Sequence, residues 1–341
     1  MKPNVSIIVL NWNGWNDTIE CLESLYQINY PNYNVIVVDN GSEDESIKKI
    51  KDYCNGEIEV KSDFFEYYSN NKPIKILEVD NKESEDKIIL KSEFLDLPSN
   101  NKLILIKNDK NYGFAEGNNI GIRFTLNQHE TDYVLLLNND TVVHENFLEK
   151  MVKKGENARL NGIIGPKIYF YDNKNIIQAT SIKINLKKGT TKINGLKEVD
   201  QGQYDNETKS NSVPGSCILI KREVIDKVGL LNKDYFCYWE ENEFCMRAVK
   251  AGYMCIYTPE PNIWHKGSQS SNKITGFTTY YLTRNTFWFE KTYAKLPEYC
   301  YFILYFLFIR FWQQTFIYLI IQKNNEVFIS FLKGILDGLK N

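Results

Sequence analysis

Apolar and polar positions alternate in blocks along the first half of the chain. Val5-Ser6-Ile7-Ile8-Val9-Leu10 is rich in β-branched residues and stops at Asn11-Trp12-Asn13-Gly14, which predicts a buried strand and a loop. Ile19, Leu22 and Leu25 then recur at helical spacing, with Asp17 placed to cap that helix. Val35-Ile36-Val37-Val38 predicts a second strand, ending at Asp39-Asn40-Gly41-Ser42 and followed by a charged helix over about 43–53. Strand, helix, strand, helix at this spacing predicts an α/β fold with a parallel sheet and right-handed crossovers. Residues 55–101 break the rhythm: they are rich in Asn, Lys, Glu, Asp and Ser. Apolar pieces at Ile74–Leu77 and Ile88–Leu90 predict an inserted hairpin or long excursion.

The pattern resumes with Leu103-Ile104-Leu105-Ile106, the turn Asn111–Ala115, a helix over about 116–128, and the apolar strand Tyr133–Leu137 ending in Asn138-Asn139-Asp140. Residues 162–215 read as a β-rich excursion, followed by helices near 222–228 and 241–252 and a strand near 253–257. Three strands therefore end in polar clusters. Ligands in open α/β sheets bind at the carboxyl ends of strands, so the clusters should share one crevice, although each alone is ordinary turn chemistry. No G-x-G-x-x-G or G-K-[ST] is present, so phosphate needs another partner. A divalent cation held by one or two carboxylates is the obvious one, and Asp140 stands where such a ligand belongs.

Composition changes this picture little. The 341 residues carry a formal charge of −2, which argues against nucleic-acid binding. Seven scattered cysteines without a C-x-x-C pair predict buried free thiols, not a zinc site. The amino terminus runs straight into a strand, with no basic or long apolar leader, so the catalytic part is expected to face the cytoplasm.

The motifs, in order, resemble glycosyltransferase family 2, and particularly its rhamnosyltransferase-like branch. Ile7–Gly14, Val37–Ser42, Asn111–Asn119 and Leu137–Thr141 carry the resemblance, the last at the family's D-x-D position. Pro214–Ser216, Trp239–Arg247, Trp264–Ser268 and Tyr281–Asn285 continue it, so that it covers about residues 4–290. It implies the GT-A fold and an inverting transfer of a sugar from a nucleotide-diphosphate donor to a glycan or lipid-linked acceptor. For this branch the implied donor is dTDP-L-rhamnose, and the setting is surface polysaccharide synthesis.

It also implies roles. Asp39, with Asn11 and Asn13, belongs to the nucleoside pocket, and Asn40, Ser42, Gly113, Asn118, Asn138 and Asn139 to the donor side. Asp140 and His265 are expected to hold Mn²⁺ or Mg²⁺, and Arg284 to neutralise diphosphate. The base is expected at Glu241, with Glu240 second. The family usually has Glu-Asp there; this chain has Glu240-Glu241, a longer side chain that shifts the carboxylate. A catalytically impaired sugar-nucleotide-binding or scaffold protein of the same fold is the alternative. D-x-D reads Asn-Asn-Asp, a variant familiar in this branch.

After residue 298 the chain becomes strongly apolar and aromatic. Tyr299–Ile321 could just span a bilayer as a helix, but Arg310, Gln313 and Gln314 fall at its middle. The Arg alone would cost about 2.5–3.5 kcal/mol there. A helix lying in the interface, at the inner face of the membrane, is the expectation. A dimer or core surface is the alternative. Val327, Phe328, Phe331, Leu332, Ile335 and Leu339 predict a second amphipathic helix. The expected division is a catalytic domain over 1–290 and a membrane-contacting segment over 291–341.

Overall fold

The computed structural model describes residues 2–84, 92–128, 131–267 and 275–340. Ile88–Leu90 and Ser268, singled out above, lie outside them. The predicted strands form β1 (Val5–Asn11), β2 (Tyr33–Asp39), β4 (Lys102–Lys107) and β5 (Tyr133–Asn138), with β3 (Lys75–Asp80) at the edge. The order β5-β1-β2-β4-β3 is parallel throughout. Helices α1 (Trp15–Leu25), α2 (Ser46–Cys54), the single turns α3 (Asn81–Ser84) and α4 (Ser92–Leu95), and α5 (Gly113–Gln128) connect them. Val5, Ile7, Ile8, Val9 and Val35–Val38 are buried, as fits strands covered on both faces.

Two details differ from the sequence expectation. Asp17 does not cap α1, whose amino-terminal cap is Gly14; its carboxylate instead takes a 2.6 Å ion pair from Lys266. Among the described residues of 55–101, β3 is not half of a hairpin, because it pairs parallel with β4, Lys75 opposite Lys102. A buried polar knot ties it down. Glu23 on α1 accepts from Lys72 Nζ at 3.0 Å, Tyr53 Oη at 2.8 Å and the Tyr68 backbone N–H at 2.8 Å. Burial pushes the Lys72 ammonium down, and Glu23 opposes that shift.

The second half of the sheet mixes directions. It contains β6 (Thr141–Val143), β7 (Asn161–Phe170), β8 (Asn173–Ala179), β11 (Thr208–Ser210), β12 (Cys217–Lys221) and β13 (Met254–His265), while β9 (Ile182–Asn185) and β10 (Thr190–Ile193) form a separate hairpin. The strand β12, which the polar pattern around it conceals, sits centrally and antiparallel between β5 and β7. Helices α6 (Phe147–Glu156), α7 (Arg222–Val228) and α8 (Glu240–Lys250) pack beside it, and α9 (Phe277–Tyr293) leads out of it.

A helix over Leu296–Ile321 and another over Asn325–Lys340 complete the chain. Phe287 of α9, Phe302, Phe306 and Phe331 form their common core. Gly338 has no Cβ to clash with the Arg284 carbonyl and Phe287, which lets the last helix pack closely on α9. Phe331, in the stripe expected to meet lipid, is instead spent on Phe306, Phe311 and Tyr318 of the Leu296–Ile321 helix. The Leu296–Ile321 helix stays open, with Phe308 74% and Trp312 63% exposed, and it is long and apolar enough to cross a membrane.

Candidate active site

Strand register brings the polar clusters together. Asn11 pairs with Asp39 across β1 and β2, and Leu10 with Asn138 across β1 and β5, so all three carboxyl ends open at one level. They border a cavity of about 530 Å³. Its walls include Trp12, Asn40, Asn111, Gly113, Asn138, Asn139, Asp140, Gln178, Glu240, Glu241 and His265.

Asp140 and His265 meet because β13 pairs with β6, placing His265 opposite Thr141. His265 Nε2 lies 3.0 Å from Asp140 Oδ1, and the Gly267 N–H donates to Asp140 Oδ2 at 3.1 Å. Burial alone would raise the Asp140 carboxyl, but the imidazole beside it and backbone hydrogen bonds outweigh that and hold it below its ordinary value. With Gln178 Oε1 taking the proton of His265 Nδ1 at 2.6 Å, Nε2 is left to face Asp140 or a cation. Asn138 Nδ2 lies 3.3 Å from Nε2, while its Oδ1 is buried without a hydrogen-bond partner among the described residues. One carboxylate, one imidazole and this orphaned oxygen suit a divalent cation. Among the described residues no three His, Cys, Asp or Glu cluster, so such a cation would need phosphate oxygens or water to fill its shell.

Across the cavity, Glu240 and Glu241 open α8. Glu240 is buried and its Oε2 has no hydrogen-bond partner among the described residues. Glu241 is partly open to the cavity, and its Oε1 accepts from Asn242 Nδ2 at 2.8 Å. Burial raises both carboxyls, and the Glu241 charge adds to the rise at Glu240. Glu243, also in this acidic run, points away and is bound by Arg247 at 2.8 Å.

The remaining candidates divide into two groups. Asn40 lines the cavity and organises its floor, donating to Asn111 Oδ1 and the Gly113 carbonyl and accepting from Asn108 Nδ2 and the Tyr112 N–H. Gly113 has φ +83° and lies where a Cβ would strike the Phe236 ring. Asn139 Nδ2 donates to Thr18 Oγ1 at 2.9 Å. Asn11, Asn13, Asp39, Ser42, Asn118 and Arg284 do not line the cavity. Asp39 accepts from Asn11 Nδ2 and Ser42 Oγ, both at 2.7 Å, and so locks two strand ends together. Asn13 Oδ1 accepts from the Glu43 N–H, and Asn118 Nδ2 donates back to the Phe114 carbonyl. Arg284, expected at diphosphate, donates instead to the carbonyls of Asp234 and Tyr235 at 2.7 and 2.9 Å.

Gln178 and Asn285 were not picked out in the sequence. Gln178 lies in a β-rich stretch without a motif, whereas Asn285 adjoins Arg284 inside the Tyr281–Asn285 motif.

The Glycosyl transferase family 2 model matches residues 6–73 and 64–229, well over half of the chain. The chain belongs to glycosyltransferase family 2. That match ends before the 239–247 and 281–285 motifs. The chain is similar to the low-salt glycan biosynthesis hexosyltransferase Agl10 of Haloferax volcanii, 29% identical over 143 residues, 42% of this chain and 45% of that protein. The dTDP-rhamnosyl transferase RfbF of Shigella flexneri is 27% identical over 196 residues, 54% and 61% of the two chains. Rhamnosyltransferase WbbL of Escherichia coli K12 is 23% identical over 237 residues, 66% and 80%. The match thus spans about half the length of the first two relatives. The fold of this family 2 chain is GT-A. Mannosyltransferase PcManGT from Pyrobaculum calidifontis, solved with GDP-Man and Mn²⁺, shares it over 100% of this chain and 88% of that one, with a TM-score of 0.55 and 13% identity.

Proposed function

We propose that the protein is a metal-dependent inverting glycosyltransferase. It takes a sugar from a nucleotide-diphosphate donor and passes it to a hydroxyl of a glycan or lipid-linked acceptor in surface polysaccharide synthesis. The observation that carries this reading is one cavity with Asp140 and His265 on one wall and the Glu240–Glu241 pair on the other. The names of RfbF and WbbL, with the resemblance of the motifs, make dTDP-L-rhamnose the donor of choice.

In this reading Asn40, Asn111 and the Gly113 turn shape the donor pocket, and Asp39 with Asn11 keeps the strand ends that frame it in register. Asp140 and His265 hold Mn²⁺ or Mg²⁺, with Gln178 fixing the imidazole. The cation supplies Lewis-acid stabilisation of the departing diphosphate. Glu241 accepts the proton of the acceptor hydroxyl as that oxygen attacks the anomeric carbon and the nucleoside diphosphate leaves, and its own burial keeps that carboxyl above the ordinary glutamate range.

Residues 291–341 provide the membrane contact. The exposed face of the Leu296–Ile321 helix, with Trp312 and Tyr301, fits headgroup depth better than a span interrupted by Arg310. The enzyme then works at the inner face of the membrane.

The test is a panel of nucleotide sugars, dTDP-L-rhamnose first, assayed for Mn²⁺-dependent release of nucleoside diphosphate with a lipid-linked acceptor. Release that is lost in Glu241→Gln while donor binding persists supports the enzyme. Donor binding without turnover in either protein supports the scaffold alternative, and release of pyrophosphate would point to nucleotidyl transfer.

A further inference from the structure

We propose that Asn285 is a positioning residue for the Glu240–Glu241 pair, acting through the backbone of residues 235–239. The inference rests on the transferase reading above.

The loop before α8 has an unusual backbone. Phe236, Tyr238 and Trp239 have φ of +63°, +65° and +75°, although none is glycine. Side chains other than glycine rarely take this left-handed conformation, and it persists only where the surroundings over-determine it. Trp239 is the residue on which α8 begins, so this geometry sets the direction in which Glu240 and Glu241 leave the loop.

Asn285, fully buried on α9, supplies the determination. Its Nδ2 donates to the carbonyls of Tyr235, Cys237 and Tyr238 at 2.9, 2.8 and 2.7 Å. Three carbonyl oxygens converging in a dry site repel one another, and an amide NH₂ between them removes that cost. Arg284 fixes the amide's orientation by donating from Nε to Asn285 Oδ1 at 2.9 Å. Its guanidinium, over the Trp288 ring at 4.1 Å, also holds the Asp234 and Tyr235 carbonyls. On the cavity side the loop is tied to the donor wall, because the Phe236 carbonyl accepts from the Ala115 N–H at 3.1 Å. The pair on α9 therefore governs the distance between the carboxylates and the donor pocket without entering it.

The experiment compares wild type, Asn285→Ala and, as a control, Thr292→Ala, whose exposed hydroxyl donates to the Trp288 carbonyl within α9. Kinetics use the donor that the wild type turns over. Misplacement near 1 Å costs about a hundredfold in rate, so Asn285→Ala should lose about that in kcat with its donor KM within about twofold. Hydrogen exchange, measured on the same proteins, should accelerate over 235–241 and stay unchanged over β1, β2 and β5. Wild-type kcat with wild-type exchange overturns the proposal. So does a parallel loss of kcat and donor affinity with faster exchange across the whole sheet, which marks a general structural role. If the wild type transfers no sugar, the transferase reading fails and exchange alone decides. Acceleration confined to 235–241 then supports the positioning of the loop, and no change overturns it.

Discussion

His265 Nε2 lies 3.0 Å from Asp140 Oδ1, and the antiparallel pairing of His265 with Thr141 holds it there. Behind it, Gln178 Oε1 engages Nδ1 at 2.6 Å and fixes which nitrogen faces the carboxylate. Partners of this kind orient a metal-binding imidazole and tune its basicity.

Gln178→Leu should therefore weaken Mn²⁺ binding by about 10–100-fold, the usual cost of such a partner. Titration calorimetry with Mn²⁺ and a nucleoside diphosphate checks it. Asp140→Asn should weaken binding further, and an unchanged affinity in both variants would sink the metal assignment.

Glu241→Gln should lower kcat by about 10²–10⁴-fold, the range for loss of a general base, with donor binding retained. Glu240→Gln removes a neighbour that shares the burial. A base works only when deprotonated, and burial raises the Glu241 carboxyl above the ordinary range. Activity should thus fall as pH drops, with the acid limb displaced upward from the value of a free glutamate. A pH–rate profile measures this, and a limb at the ordinary glutamate value would contradict it. In Glu240→Gln the limb should keep its position, because burial and not a Glu240 charge raises the Glu241 carboxyl.

Glu290 gives a stability test outside the cavity. It is fully buried, both carboxylate oxygens lack hydrogen-bond partners among the described residues, and burial followed by the nearby Glu298 charge pushes it up to about 8. The folded state therefore binds this proton more tightly than the unfolded one. Its stabilising contribution is complete below the ordinary glutamate pKa and is lost as pH rises through about 8. Glu290→Gln keeps the shape without the charge. Its Tm should exceed that of the wild type at the alkaline end by about 1–2 °C for each kcal/mol gained, the scale set by about 2.1 cal/mol/K of unfolding entropy per residue over 341 residues. The difference should vanish at acid pH. Thermal melts across that range decide it.

Phe308 and Trp312 stand open on the Leu296–Ile321 helix. Replacing both by Ser should reduce sedimentation with vesicles containing anionic lipid at least several-fold, since each buried aromatic contributes apolar area at the interface. Turnover of a soluble acceptor analogue should stay close to wild type. Equal vesicle binding by the variant would remove the helix from the membrane, and a concentration-dependent change in mass would assign it to a dimer.

The sequence alone determined the parallel half of the sheet. Val5–Leu10, Val35–Val38, Leu103–Ile106 and Tyr133–Leu137 are dense apolar runs. Burial on both faces needs such runs, so they announce themselves locally. Their polar ends also marked the cavity, because register follows once the strands are parallel and begin together. The motif order pointed to the family for the same reason: each motif is a contiguous stretch.

Tertiary structure decided what depends on distant partners. Cys217–Lys221 is too short and too polar at its flanks to stand out, yet it is a central antiparallel strand between β5 and β7. Lys75–Asp80 became an edge strand, not half of a hairpin, because β4 offered a free edge and Glu23 a buried anchor for Lys72. Arg284 and Asn285 read as one motif, but only the approach of α9 to the 235–239 loop turned their donors onto backbone carbonyls. Local periodicity reports how much of a segment is buried. It carries no information about which distant carbonyl, carboxylate or strand edge is waiting there, and that pairing is what built the candidate site.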